Sequence, residues 1–447
     1  MRRREFLAAA AAGAAAAALP QRLQAAAEPK TADRPNIILC MTDDQGWADV
    51  GYNNAGNSER AFVRTPVMDQ MAASGLRFNR FYAAAPYCSP TRGSVMTGRH
   101  PIRYGCFGPG KPLRPQEMTI AQALKSAGYA TGHFGKWHLN GVSGPGKPIP
   151  ADDPLSPGRF GFDEWLSVSN FFDLNWTFSH KGQLVQAQGD GSDVIVTEAL
   201  KFISQAAKAR TPFLAVIWYG NPHVPIQPLP EYQEKAGGSA YYGEIYGVDR
   251  SLGTLRAELR RLGIADNTLL WFCSDNGGTK EPYTGGLRGK KGTVWEGGLR
   301  VPGIIEWPAR IRKPFTTDVP ATTSDIYPTI LELLGIKVPN QVQPLDGISI
   351  VSLIDGKMTQ RPGPIGFWHS NKAEPGVGHA ALTDNVYKLH RVKANAWELY
   401  DIAKDPTESQ DLAATKPEVV ARMKPLLEAW QESVVRSFNG QDYKRQA

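Results

Sequence analysis

Cysteine is scarce in this chain. Cys40, Cys88, Cys106 and Cys273 are the only four in 447 residues, and they do not make a disulfide scaffold. Cys40 and Cys273 each sit in an apolar run, where burial as free thiols is expected, and Cys106 carries no signal. Apart from the N-terminus, no apolar run is long enough to span a bilayer. No block of like charge and no internal repeat occurs, and low-complexity sequence is confined to the N-terminus. The absence of a basic block argues against a dedicated nucleic-acid binder. Gly (45) and Pro (34) are plentiful but dispersed, which predicts many ordered loops rather than disorder. The length suits one large α/β domain with an appendage, or two domains.

The first 27 residues read as separate from the fold. Arg2-Arg3-Arg4-Glu5-Phe6-Leu7 precedes an Ala-rich run to Pro20, and Ala25-Ala26-Ala27 offers an A-x-A-like cleavage site. A charged start, a short apolar stretch and such a site predict a signal peptide. Arg3-Arg4 followed by Phe6-Leu7 fits the twin-arginine type, which hands folded proteins to the twin-arginine translocase. A periplasmic or extracellular location follows as an expectation. The formal net charge is +7, of which residues 1–27 carry +3, leaving a mild +4 that suits anionic substrates.

Short apolar runs at Asn36–Thr42, Phe213–Trp218 and Thr268–Cys273 predict buried parallel strands, with a fourth strand at Val301–Trp307. Helices are predicted from Thr65-Pro66 to Ala73, Thr119 to Ala127, Ser192 to Ala207, Tyr241 to Leu262 and Thr323 to Leu334. Strands alternating with helices predict an α/β fold: a large, mostly parallel sheet sandwiched by helices, spanning residues 34–360. After about Arg361 the pattern changes. Alternating segments at Ala380–Leu382, Val386–His390 and Trp397–Tyr400, then a helix from Pro417 to Val435, predict a C-terminal subdomain over 361–447 with a small antiparallel sheet and one helix.

Asp43-Asp44 directly follow the first strand, and Asp275-Asn276 directly follow the third. Both pairs then project from the same sheet edge, where ligands bind in such folds. Asp and Asn there serve equally as caps and turns. Two such pairs at matching strand ends, however, form a hard oxygen site suited to Ca²⁺ or Mg²⁺ rather than Zn²⁺.

The segment Cys88-Ser89-Pro90-Thr91-Arg92-Gly93-Ser94-Val95-Met96-Thr97, followed by Gly98-Arg99, contains the pattern C-x-P-x-R. It closely resembles the segment that sulfatases carry around their nucleophile. The resemblance extends further. Gly135-Lys136-Trp137-His138-Leu139 is similar to the family's G-K-W-H segment, and Asn221-Pro222-His223-Val224-Pro225 to its N-P-H-x-P segment. Lys290 to Pro302 is similar to its K-G-x-x-W-E-G-G-x-R-x-P segment, in a register that selects Lys291. Leu399-Tyr400-Asp401-Ile402 and Asp405-Pro406-Thr407-Glu408 resemble a stretch near its C-terminus.

That resemblance implies an alkaline-phosphatase-like fold and hydrolysis of sulfate esters. Cys88 would be oxidised to formylglycine by a formylglycine-generating or cysteine-type sulfatase-maturing enzyme. Its hydrate would be the nucleophile. Asp43, Asp44, Asp275 and Asn276 would hold one Ca²⁺, less readily Mg²⁺, with residue 88 completing the site. Arg92 would polarise the nucleophile, with Asp275 as base. Lys136, His223 and Lys291 would bind the sulfate oxygens, His223 or Lys291 would protonate the leaving alcohol, and His138 would take a proton as sulfate departs. Aryl sulfates and sulfated sugars such as 6-sulfated galactose or N-acetylgalactosamine are the substrates it implies. Alternatives are a phosphomonoester or phosphodiester hydrolase on the same fold, a catalytically silent carbohydrate-binding relative, and a papain-like cysteine hydrolase. Gly141–Thr177 and the C-terminal subdomain carry no readable signature for the rest of the substrate.

Overall fold

The computed structural model describes residues 34–54, 57, 60, 62–280 and 284–443. The predicted signal peptide lies outside them. In the main body the strands are β1 (Asn36–Thr42), β2 (Leu76–Phe78), β3 (Phe81–Tyr82), β4 (Ala130–Lys136), β5 (Glu164–Val168), β6 (Thr177–His180), β7 (Gln183–Gln186), β8 (Phe213–Trp218), β9 (Thr268–Ser274), β10 (Arg300–Val301), β11 (Gly303–Glu306), β12 (Phe315–Thr317) and β13 (Ala321–Thr322). Ten of these form one sheet in the order β12-β2-β11-β9-β1-β8-β4-β5-β6-β7.

The centre of this sheet, β9-β1-β8-β4-β5, is wholly parallel, as predicted. Its margins are mixed. β11 runs antiparallel to both β9 and β2, and β5-β6-β7 is an antiparallel meander. The β6–β7 connection is Lys181-Gly182 alone, both at positive φ (51° and 95°), and a two-residue loop permits only a hairpin. The predicted strand Val301–Trp307 is divided at Pro302, which has no N–H for a ladder. β10 joins a small sheet with β3 and β13, while β11 joins the main one.

Alternate residues of the central strands feed two cores. Ile37, Leu39, Met41, Val216, Trp218 and Trp271 meet Val95, Met96, Leu124 and Ile330, from helices Cys88–Thr97, Ile120–Ser126 and Ile326–Leu334. On the opposite face Ile38, Cys40, Ala215, Ile217 and Phe272 meet Met68, Ile195, Ile203, Val248 and Leu255, from helices Pro66–Ser74, Gly191–Lys208 and Ala240–Arg261. With both faces covered, the central strands can be apolar throughout. The helix starts follow sequence signals. Thr119 forms a capping box with Gln122, and the Asp190 side chain accepts from the N–H groups of Ser192 and Asp193.

The strands β14 (Ile365–His369), β15 (His379–Thr383), β16 (Tyr387–Lys393) and β17 (Ala396–Asp401) form a separate antiparallel sheet. Helix Pro417–Phe438 covers one face, where Leu382, Leu389 and Leu399 meet Met423 and Leu427. The other face docks on the main body, where Ile365, Phe367 and Ala381 meet Tyr82, Val294 and Leu299. A buried ion network crosses this junction. Lys388 Nζ lies 2.9 Å from Glu296 Oε1 and 3.1 Å from Glu408 Oε1, and all three side chains are fully buried. Removing one partner of a buried network leaves its charges unpaired, which typically costs about 3–5 kcal/mol. Lys388→Met is therefore expected to destabilise the protein by that order, read from urea unfolding. An unchanged midpoint would mean that the network does not hold the junction.

Candidate active site

Neighbouring strands β9, β1, β8 and β4 end at one edge of the sheet, and each delivers polar residues there. Asp43-Asp44 follow β1, Asp275-Asn276 follow β9, and Asn221 to His223 lie just beyond β8. Lys136 closes β4, with His138 two residues on. Cys88 is the first residue of helix Cys88–Thr97. Arg92 stands one turn later, on the same face. Lys291 comes from the loop after β9, tied back by its own N–H to Gly278 O (2.9 Å), while Gly292 N–H donates to Pro86 O (2.9 Å) just before Cys88.

The candidate residues converge. Ligand atoms of Asp43, Cys88 and Asp275 lie within 4.8 Å of one another, as do those of Asp43, Asp44 and His223. Lys136 Nζ pairs with Asp43 Oδ2 at 2.5 Å. Arg92 lies 2.7 Å from Asp275 Oδ2 and 3.8 Å from Asp43 Oδ2, with its guanidinium over the Trp218 ring. Lys291 Nζ is 2.5 Å from Asp44 Oδ1, and His223 Nε2 is 3.8 Å from Asp44 Oδ2. Asn276 Nδ2 donates to Asp44 Oδ1 (2.8 Å), and the Asp44 N–H donates to Asp275 Oδ1 (3.2 Å). Asp43, Asp44, Cys88, Arg92, Lys136, His138, Asp275 and Asn276 are all buried.

Two of the site residues are held in the left-handed region, Asp44 (φ 67°) and His138 (φ 54°). Such residues cost on the order of 1–3 kcal/mol, so the surrounding structure must impose them. Gly135 has a plainer requirement. Its φ is 105°, and a Cβ there would stand 2.0 Å from the Trp218 carbonyl oxygen of the adjacent strand. Only glycine lets β4 reach β8 at this point.

Burial works to raise the Asp43 pKa, but Lys136, His223, Arg92 and Lys291 outweigh it and hold the carboxyl well below the usual range. Asp275 goes the other way. Burial, then the charge of Asp43, pushes it up to about 7 against the pull of Arg92. Burial lowers both His138 and His223, and Lys136 adds to the effect on His138. Burial also raises the Cys88 thiol, so a thiolate is disfavoured. Asp43 Oδ1 and Asn276 Oδ1 are buried without a hydrogen-bond partner among protein atoms, as are both ring nitrogens of His138. Buried oxygens without donors are costly, and these two belong to a crowded set of three carboxylates and one amide. That donor set fits a hard divalent cation.

Sequence reasoning missed the groups that hold the His223 loop. Asn221 Nδ2 donates to Glu244 Oε2, and Ser192 Oγ donates to Asn221 Oδ1 (2.9 Å). At the far end of the loop, the Gln227 N–H reaches both Glu244 Oε1 (2.7 Å) and Asp173 Oδ2 (3.0 Å). The Asn221 carbonyl also accepts from the Asp43 N–H (3.0 Å), which links this clamp to the end of β1. Glu244 could have been noticed. It lies in the buried stripe Tyr241, Ile245, Val248, Leu252 of its helix, where a carboxylate is out of place.

Comparison with known proteins identifies the family. The sulfatase family model matches residues 35–336. The chain belongs to the sulfatase family. A second model, N-sulphoglucosamine sulphohydrolase, C-terminal, matches residues 289–433. N-acetylgalactosamine-6-sulfatase of Mus musculus is 30% identical over 432 residues, covering 88% of this chain and 78% of that protein. Arylsulfatase G of Homo sapiens is 30% identical over 421 residues, covering 81% and 75%. The solved structure of Ps i-CgsB in complex with k-i-k-neocarrahexaose superposes with a TM-score of 0.78 at 29% identity, covering 89% of this sulfatase and 93% of that chain. The phosphonate monoester hydrolase of Agrobacterium radiobacter, at TM-score 0.64 and 20% identity, shares the fold alone. This sulfatase is thus a sulfuric ester hydrolase with an alkaline-phosphatase-like fold.

The clamp on its His223 loop has a consequence for stability. Burial, then Asp173 and Asp190, push Glu244 up to about 9, and burial with Asp190 pushes Asp173 up to about 7. The folded state then holds more protons than the unfolded state, whose carboxyls titrate near ~4. Stability contributed here is complete below that unfolded value and is lost as pH rises towards 9. Glu244→Gln keeps the shape and removes the titration. Its thermal midpoint is expected to decline less than that of the unsubstituted protein between about pH 5 and pH 9. Parallel declines in a fluorimetric melt would remove Glu244 as the cause.

Proposed function

We propose that this sulfatase acts through a formylglycine formed from Cys88, with one bound Ca²⁺, on a sulfated carbohydrate. The observation that carries the reading is the position of Cys88. It opens a buried helix with its Sγ within 4.8 Å of Asp43 and Asp275 oxygens, and Lys136 and Lys291 act on it electrostatically. The raised thiol pKa counts against a cysteine hydrolase, which needs a thiolate. A thiol hydrolase also has no use for the oxygen donors around it.

Asp43, Asp44, Asp275 and Asn276, with the side chain at position 88, would hold the ion. Ca²⁺ suits them better than Mg²⁺, because it accepts six to eight oxygens in irregular geometry. When present, the ion supplies Lewis-acid charge, and the formylglycine hydrate supplies the attacking hydroxyl. Lys136, Lys291 and His223 bind the non-bridging sulfate oxygens. Arg92, paired with Asp275 and backed by Trp218, keeps positive charge beside residue 88. Asp275 takes the proton of the attacking hydroxyl, and His223 Nε2 or Lys291 Nζ gives one to the departing alcohol oxygen. His138 is neutral, buried and without a partner at either ring nitrogen, so it is suited to accept a proton from residue 88 as sulfate leaves.

Carbohydrate is favoured because relatives are named for sulfated amino sugar and a neighbouring structure holds a carrageenan hexaose. The twin-arginine pattern supports export to the periplasm or beyond, and the C-x-P-x-R segment supports a maturing enzyme as partner. Phosphate esters are the second reading, since a phosphonate monoester hydrolase shares the fold.

Three outcomes are expected. Peptide mass spectrometry of active protein finds an aldehyde at position 88, and Cys88→Ala abolishes turnover without changing the fold. A chelator removes activity and lowers the melting temperature, and Ca²⁺ restores both more effectively than Mg²⁺. kcat/KM for an aryl sulfate exceeds that for the matching aryl phosphate. The opposite preference would overturn the sulfate assignment and leave the fold intact.

A further inference from the structure

A cavity of about 590 Å³, with a mostly apolar lining that carries a few polar groups, opens between segment 107–111 and the β14–β15 hairpin. Both walls reach residues that flank Cys88. The His369 ring stands edge-on to Tyr87, with centroids 5.1 Å apart, and the Gly110 N–H donates to Ser89 Oγ at 2.9 Å. The walls of the cavity thus contact the two residues that flank Cys88, on the side of the C-terminal sheet. His369 and His379 face each other as the last pair of the hairpin. Lys111 is exposed, and among the described residues it makes no ion pair. Among the described residues it is the only Lys or Arg lining the cavity, and no Asp or Glu lines it.

The second wall is fixed from behind. Glu408 accepts from the Glu296 N–H (2.8 Å) and pairs with Lys388 (3.1 Å). His390 Nε2 lies 2.7 Å from Glu408 Oε1, and His379 Nε2 lies 2.9 Å from His390 Nδ1. With Glu408 ionised, His390 donates to it and accepts from His379, so that Nδ1 of His379 remains as a neutral acceptor. Phe107 adds an aromatic surface, and Asn371 adds an amide. A neutral imidazole, an amide, an aromatic ring and one free cation together match a sugar ring that carries an anionic group.

We propose that this cavity binds the sugar residue next to the sulfated one, and that Lys111 selects a residue bearing a carboxylate or sulfate. The proposal rests on the carbohydrate reading above. It goes further in placing glycan selectivity on Lys111 and His379, outside the residues that handle sulfate.

The test separates the two readings. Binding of two probes, a chondroitin 6-sulfate tetrasaccharide (carboxylate neighbour) and an ι-carrageenan tetrasaccharide (sulfate neighbour), is measured by calorimetry, which needs no turnover. The matching sulfated monosaccharide, N-acetylgalactosamine 6-sulfate or galactose 4-sulfate, is the control for each probe, and hydrolysis of an aryl sulfate reports the catalytic centre. At least one tetrasaccharide is expected to bind more tightly than the monosaccharide. Lys111→Gln should weaken that binding by roughly fivefold, the upper end for an exposed ion pair, with affinity for the monosaccharide unchanged. Aryl sulfate kcat and KM should also stay unchanged. Which probe responds tells carboxylate from sulfate. Equal affinity for tetrasaccharides and monosaccharide, or tetrasaccharide binding untouched by Lys111→Gln, overturns the subsite. Absence of aryl sulfate turnover with tetrasaccharide binding intact would fault the catalytic reading alone.

Discussion

The structure is organised around a balance of charge at one sheet edge. Asp43, Asp44 and Asp275 are buried together, and such a group exists only if cations meet it. Arg92, Lys136 and Lys291 do so, each brought by a different element: a helix, a strand end and a loop. Neither set is tolerable underground without the other. The balance explains why so much polar sequence is fully buried, and why Asp43 and Asp275, neighbours in space, are driven to opposite ends of the carboxylate range. A divalent ion and an anionic ester would enter this field as one more positive and one more negative term, each stabilising the other.

Fitting these groups together strains the backbone at few points. Asp44 and His138 take left-handed conformations so that consecutive residues after a strand can turn into the same site. The glycines of the motifs serve the same end. A Cβ on Gly277 would meet the Gly297 carbonyl oxygen at 2.0 Å, so the D-N-G-G turn and the W-E-G-G turn can only pass one another bare. The motif residues are thus of two kinds, those that carry charge and those that let their carriers approach.

Much of this was legible in sequence, for physical reasons that also mark the limits. β1, β8 and β9 are buried on both faces, so their apolar runs stand out, and the residues at their carboxyl ends could be assigned to one edge. β4 has the same neighbours but reads Ala-Thr-Gly-His-Phe-Gly-Lys, with no apolar run to reveal it. Helix Cys88–Thr97 was equally hidden. It is buried along its whole length, so it has no solvent-facing side to set polar against apolar residues with a 3.6-residue rhythm. The expectation of a mostly parallel sheet held, with antiparallel pairs confined to β11 and to the β5-β6-β7 meander, where a two-residue loop at β6–β7 imposes the opposite direction. The clamp of Asp173 and Glu244 lay beyond reading because it joins a loop and a helix about seventy residues apart through hydrogen bonds.

The C-terminal sheet does more than close the chain. The Lys291 loop leans on it: Arg288 stacks 3.5 Å over Trp295 and donates to Tyr400 Oη (2.8 Å), Trp295 lies 4.2 Å from the His390 ring, and the Glu296 N–H donates to Glu408. The same His390 and Glu408 fix His379 at the neighbouring cavity. One buried cluster therefore supports both the loop that carries Lys291 and the wall of the neighbouring cavity. Trp295, His390 and Glu408 are in contact with both segments. Under the function proposed above, such a shared support would help hold the spacing between a sulfate group and its neighbouring sugar.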